Sequence, residues 1–187
     1  MPARSALTSA LFGAALLGAT LPGSPVGAQQ AAPAQPPPPA NPLDAVPDKM
    51  PFDVPYGAPI SLERAAAAIA ATVAEAKKHD WKLNIAVVDS GGNLVAFQRM
   101  NGAQLASIQI SEHKARAAAT FRRETKAFEN AIQQNNFNYV MTIDGVIASR
   151  GGIPLVEDGK LIGAIGCSGA TGSQDEAACK VGAATVK

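Results

Sequence analysis

The sequence predicts an α+β domain, an antiparallel sheet with helices packed on it. Alanine-rich segments with apolar residues at three- and four-residue spacing read as helices. Short apolar runs are joined by tight turn signals, Ser90-Gly91-Gly92-Asn93 and Asp158-Gly159, which suit antiparallel neighbours. The elements follow the order α-β-β-α-α-β-β-β-α, with no internal repeat.

The chain opens with "MPARSALTSALFGAALLGATLPGSPVGAQQ". One charge, Arg4, precedes an apolar run from Ala6 to Leu21, and small residues end at Val26-Gly27-Ala28. This is the layout of a secretory signal peptide over residues 1–28, cleaved after Ala28. The run is too short and too rich in Gly and Ser for a permanent span, and no later segment is apolar over enough residues to cross a bilayer. The expected location is periplasmic or secreted, with no membrane span once the signal is removed. Residues 29–59, rich in Pro and Ala, read as a tether, because proline removes backbone donors and favours extended geometry. The alternative is that Phe52 to Tyr56 pack on the domain as an arm. Residues 60–187 have the size of one domain. Formal net charge is +1 and charged residues make up 17% of the chain, so no nucleic acid or other polyanion is implied as a partner.

Within the domain, "SLERAAAAIAATVAEAKKHDW" starts at Ser61, a plausible N-cap, with Glu63 in the positive first turn. Leu62, Ala65, Ala66, Ile69, Val73 and Ala76 form one apolar stripe. Lys77, Lys78 and His79 sit where a helix C-terminus favours cations. "LNIAVVDSGGNLVAFQRM" reads as a hairpin, and "NGAQLASIQISEHKARAAATF" as a second helix. A short third helix and a loop follow in "RRETKAFENAIQQNNFNYV". Strands are predicted at 146–149, 153–157 and 160–166, then a last helix from about Gln174. Ser173 and Glu176 have the spacing of a capping box, with Gly166, Gly169 and Gly172 shaping the turn before it. Asp175 and Glu176 put negative charge at that helix start, and no P-loop signature is present, so a nucleotide loop is rejected.

Two cysteines in a chain that looks exported predict a Cys167–Cys179 disulfide. The alternative is two buried thiols acting as small hydrophobes.

The segments "VVDSGGNLVAFQRM", "GAQLASIQISEHKARAAATF", "GGIPLVEDGKLIGAIGCSGATGSQDEA" and "KVGAA", in this order, resemble the GlcG/HbpS family (DUF336-like) across almost all of residues 60–187. The resemblance implies a profilin-like fold with a five-stranded antiparallel sheet, and a homo-oligomer. It also implies heme binding or sensing for exported members, and roles in glycolate or corrinoid metabolism for others.

Candidate ligand residues cluster on the second helix. Ala106, Ile110, His113, Ala117 and Phe121 share one stripe. His113 is the candidate ligand of heme iron, and the small side chains of Ala106 and Ala117 leave room for a flat macrocycle. The plainer alternative is a surface or structural histidine. Lys114 and Arg116 beside the stripe suit heme propionates. Arg150, next to Gly151 and Gly152, suits a carboxylate approached closely by backbone, although a turn between strands explains the glycines equally well. His79 reads as a surface residue at a helix end. Tyr139 and Met141 qualify as axial donors by chemistry, but packing into the core is the expected role of each. The histidines are too far apart for a zinc motif. The family resemblance together with the export signal implies an exported heme-binding protein that buffers, stores or senses heme without catalysis, and the stripe around His113 supports it. Two alternatives stand beside it. One is an enzyme or binding protein for a small organic acid, held by Arg150 and Lys114 with Glu112 or His113 as base. The other is an oligomeric interaction module.

Overall fold

The computed structural model describes residues 41–186. The expected signal peptide and residues 29–40 of the tether lie outside the described residues. Residues 41–46 belong to a separate unit and hold a 3-10 turn at Pro42–Asp44, capped by Asn41. The domain's own unit begins at Pro47.

Helix α1 (Leu62–Lys78) begins at the Ser61 cap, whose hydroxyl accepts from the Arg64 amide at 3.4 Å. Strands β1 (Asn84–Asp89) and β2 (Leu94–Arg99) form the first hairpin. The Asp89 carboxylate accepts from the amides of Gly91 and Asn93 at 2.8 and 2.9 Å, and Gly92 takes φ +82° in the turn. Helices α2 (Ser107–Thr120) and α3 (Lys126–Gln133) follow, then a 3-10 turn at Asn138–Thr142. Strands β3 (Gly152–Glu157) and β4 (Lys160–Ser168) form the second hairpin, with positive φ at both Asp158 and Gly159. That pair of angles is the type I′ geometry whose twist matches antiparallel strands. Helix α4 (Gly172–Ala183) closes the domain.

Among the described residues the sheet has four antiparallel strands in the order β2-β1-β4-β3, which corrects the expected five. The missing strand is 146–149. There the chain turns instead, the Val146 amide donating to the Ile143 carbonyl at 3.3 Å after Gly145 at φ +79°. The Arg150 amide is taken by the Glu129 carboxylate at 2.8 Å, and Gly151 at φ +113° interrupts any extended run before β3.

The arm alternative for the tether's end is the one found. Tyr56 bridges Leu161, the Leu161 amide donates to the Pro55 carbonyl at 2.8 Å, and the Gly57 amide donates to the Leu161 carbonyl at 2.7 Å. The Tyr56 hydroxyl adds a bond to the Thr120 carbonyl at 2.7 Å. The arm therefore pairs with β4 just beyond the last β1–β4 pair, Asp89 with Gly163.

Alternation along the strands divides the core into two layers. Ile85, Val87, Ile165 and Cys167 face α1 and α4, packing on Ala68, Ile69, Ala178 and Cys179. Ala86, Val88 and Ala164 face α2, packing on Ala115, Ala118 and Ala119. Each fully buried Ile, Leu or Val in these layers contributes roughly 1.5–3 kcal/mol relative to exposure. The α2 layer is thin. A Cβ at Gly166 would run into the Ser111 carbonyl and the Ala115 amide, and one at Gly152 would run into the Lys114 carbonyl. The small residues of α2 thus bring its backbone directly onto the sheet. The face of α2 that meets the sheet is that of Ser111, Lys114, Ala115 and Ala118, while Phe121 of the predicted stripe lines a separate cleft.

Candidate functional site

Lys114 points inward from α2 with its side chain 1% exposed. Its ammonium donates to Asp175 Oδ2 at 2.9 Å and to the Cys167 carbonyl at 3.1 Å. Asp175 Oδ1 accepts from the Ala170 amide at 3.1 Å. Burial pushes the Asp175 carboxyl above the usual carboxylate range, by more than the Lys114 ammonium draws it down. One buried pair thus joins α2, the end of β4 and the first turn of α4. The Cys167–Cys179 disulfide lies beside it, with Cα atoms 5.8 Å apart, and ties β4 to α4 a second time.

Arg150 meets two carboxylates. Its Nη2 lies 2.6 Å from Glu129 Oε1, and its Nη1 lies 3.6 Å from Glu176 Oε2. The Arg150 guanidinium holds the Glu129 carboxyl below its ordinary range. Glu176 also pairs with Lys126 at 3.2 Å and Lys180 at 2.7 Å. Gly151 accepts from the Cys167 amide at 2.9 Å, and Gly152 donates to Thr125 Oγ1 at 2.9 Å. The structure therefore gathers Lys114, Arg150, Gly151 and Gly152 at the start of β3. It gathers them as a closed lattice of internal bonds, with the charges of Lys114 and Arg150 already met.

The other candidates stand apart. Arg116 is exposed, and its Nε donates to the Gly92 carbonyl at 3.3 Å, bracing the first hairpin. Ala117 is buried. His113 is half-buried, its Nε2 3.3 Å from the Gly145 carbonyl. His79 pairs with Glu75 at 3.2 Å and stacks on Trp81 at 4.4 Å between centroids. Met141 is exposed. Among the described residues no group of three or more His, Cys, Asp or Glu could hold a metal ion.

A cleft of about 350 Å³ opens where α3 and the 3-10 turn meet the end of α2. Phe121, Phe128, Phe137, Tyr139, Val140 and Ile143 supply most of its walls, with Ala127 and Ala131 of α3 between them. Phe121 and Phe128 meet edge to face at 5.1 Å. Arg123 also lines the cleft, its guanidinium 3.3 Å from the centre of the Phe52 ring and 5.6 Å from that of Phe128. Its Nε donates to the Phe121 carbonyl at 3.0 Å. Among the described residues no carboxylate lies within 4.0 Å of it. Burial, and then the neighbouring charge of Arg122, lowers its affinity for its proton. A half-buried cation between aromatic faces, with no protein anion, is suited to receive the carboxylate of an apolar guest. Gly145, the partner of His113, sits against the Phe121 ring at the edge of this cleft.

Sequence reasoning missed this cleft. Its aromatic residues run from Phe52 to Tyr139 without a shared period, and only the crossing of α3 over the end of α2 assembles them. The one available signal was the run "FENAIQQNNFNYV", dense in aromatics for a chain with only 5% of them.

A family model described as "Haem degrading protein HbpS-like" matches residues 60–184. Protein GlcG of Escherichia coli K12 is 42% identical over 109 residues, covering 58% of this chain and 81% of GlcG. Among solved structures, an HbpS double mutant of Streptomyces reticuli superposes with a TM-score of 0.65 at 27% identity, covering 76% of this chain and 97% of that one. A PduOC:heme complex superposes with a TM-score of 0.63, covering 69% and 96% of the two chains. At 24% identity that likeness bears on the fold.

Proposed function

The chain belongs to the HbpS-like family, and from that premise we propose that it is an exported heme-binding protein whose aromatic cleft receives the macrocycle. In this reading it buffers, stores or senses heme. The observation that carries the reading is Arg123, which among the described residues has no carboxylate within 4.0 Å and stands at an aromatic cleft. Phe128, Phe137, Val140 and Ile143 offer apolar walls, and Arg123 offers a counter-charge for one propionate. The volume of about 350 Å³ falls at the small end of the usual range for ligand clefts, so part of the ring stays at the open mouth. Tyr139 brings a phenol to the cleft wall, and His113 brings an imidazole to the adjoining loop. Tyr139 and His113 are the side chains that would hold the iron, and bound heme would supply redox chemistry there.

The family description and the disulfide support the reading. A disulfide suits an oxidising compartment, as export through a signal peptide over residues 1–28 requires. Among the described residues no helix is long and apolar enough to cross a membrane. A homo-oligomer belongs to the same proposal. Exposed Tyr139, Met141 and Ile143 leave apolar surface beside the cleft, and light scattering measures the particle mass.

The test is a heme titration of the intact chain followed at the Soret band. The expected result is a shifted band that saturates at one heme per chain and weakens roughly tenfold in Arg123→Ala, the loss of one charge-assisted contact. Tyr139→Phe and His113→Ala then assign the axial donor by which one changes the band position. No saturable band, or an unchanged affinity in Arg123→Ala, overturns the cleft assignment. A band that forms and then decays with loss of the macrocycle would replace buffering by the degradation named in the family description.

A further inference from the structure

A second groove, of about 280 Å³, lies between the last turns of α1 and the end of β2. Val73 and Met100 contribute apolar surface to it, Lys77, Lys82 and Arg99 line it, and the amides of Gln98 and Asn101 complete it. The backbone explains the convergence. The Met100 amide donates to the Leu83 carbonyl at 3.0 Å, which sets the end of β2 beside Lys82 at the entry to β1. Lys77 arrives from a third direction, on α1. Lys82 contacts Asp80, but among the described residues neither Lys77 nor Arg99 has a carboxylate within 4.0 Å. The dipole at the end of α1 accounts for Lys77 alone. It does not account for Arg99, which sits on a strand and lines the same groove. Cations gathered around one concavity repel each other unless an anion joins them.

We propose that this groove binds a small organic anion with two or more carboxylate or phosphate groups on a short apolar stem. Lys77 and Lys82 act as point charges, Arg99 as a planar two-bond fork, and Gln98 and Asn101 as neutral hydrogen-bonding partners. The apolar side chains of Val73 and Met100 meet the stem. The groove shares no lining residue with the aromatic cleft, so it stands or falls independently of the heme reading.

The chain carries its own reporter. Trp81, its only tryptophan, precedes Lys82 and is half-buried against the core. Citrate and inorganic phosphate are titrated separately into the intact chain while Trp81 emission is followed, with sodium chloride at matched ionic strength as control. The expected result is a saturating change with citrate or phosphate beyond that with chloride. The apparent affinity should fall about tenfold in Arg99→Gln and in Lys77→Gln. Both side chains are exposed, so these variants retain the fold. The probe that saturates at the lower concentration identifies the head group. A response equal to that of chloride, or an affinity unchanged in Arg99→Gln, overturns the proposal.

Discussion

Lys114 is the residue whose role shifts most between sequence and structure. On the helix pattern alone it lies beside an open stripe, available to a ligand's acid group in the manner of many surface lysines. In the fold it is buried with Asp175, 61 positions later. Helical periodicity places a side chain on a face; it does not say which face meets the sheet. Asp175→Asn keeps the shape and removes the charge, leaving the ammonium uncompensated. The expected loss is about 3–5 kcal/mol in urea denaturation, the usual cost of breaking a buried pair from one side. Lys114→Met with Asp175→Leu should recover most of it, since two apolar groups need neither partner nor solvent. A loss below about 1 kcal/mol in Asp175→Asn would show that the pair contributes little. His113 and Arg150 carry the same lesson. Their positions were legible, but the loop at Gly145 and the Glu129 carboxylate that engage them come from distant parts of the chain.

At the scale of elements, both hairpins and all four α-helices of the described residues were legible, because turn residues and helical spacing act over a few neighbours. The errors have local causes. The segment 146–149 has strand-like composition, but a strand needs an edge to pair with, and its neighbours bind elsewhere. In α1 the alanine run hides the phase of the helix. Leu62 and Ala66 are exposed, while Ala68 and Thr72 are buried. At α4 the cap is Thr171, not Ser173. The Thr171 hydroxyl accepts from the Gln174 amide at 3.4 Å, and Gln174 Oε1 accepts from the Thr171 amide at 3.0 Å. The box is therefore Thr-x-x-Gln, shifted by two residues from the expected Ser-x-x-Glu, and Glu176 is left free to bind Lys126 and Lys180. Thr171→Ala should cost about 1 kcal/mol and Ser173→Ala a few tenths at most, measured as shifts in denaturation midpoint. Equal losses would return the cap to Ser173.

Within the described domain, two helical layers enclose a four-stranded sheet, and α4 is held to that sheet at two adjacent points, the Lys114–Asp175 pair and the disulfide. The cross-link joins residues 12 positions apart. Replacing both cysteines by serine should lower stability by about 3 kcal/mol in an oxidising buffer, mainly through the greater freedom of the unfolded chain. Under reducing conditions the parent should fall to nearly the same stability as the variant. If the parent loses nothing on reduction, the cross-link contributes no stability. The small residues at the α2 contact are a whole-molecule device as well. Gly152 and Gly166 let α2 lie on the sheet by its backbone, and the aromatic cleft lies apart from that contact, beside α3.

By itself the sequence determined the helices and two hairpins found among the described residues and the family, and it favoured the cysteine pair, because each of these rests on short-range pattern or on ordered motifs. The tertiary structure alone decided which side of each helix is buried, that Lys114 and Arg150 spend their charges internally, and that Phe52, Arg123 and Tyr139 meet around one cleft. The reason is physical. Spacing along a chain records a helix's period but not its phase against a sheet, and contacts between residues dozens of positions apart exist only once the layers have packed.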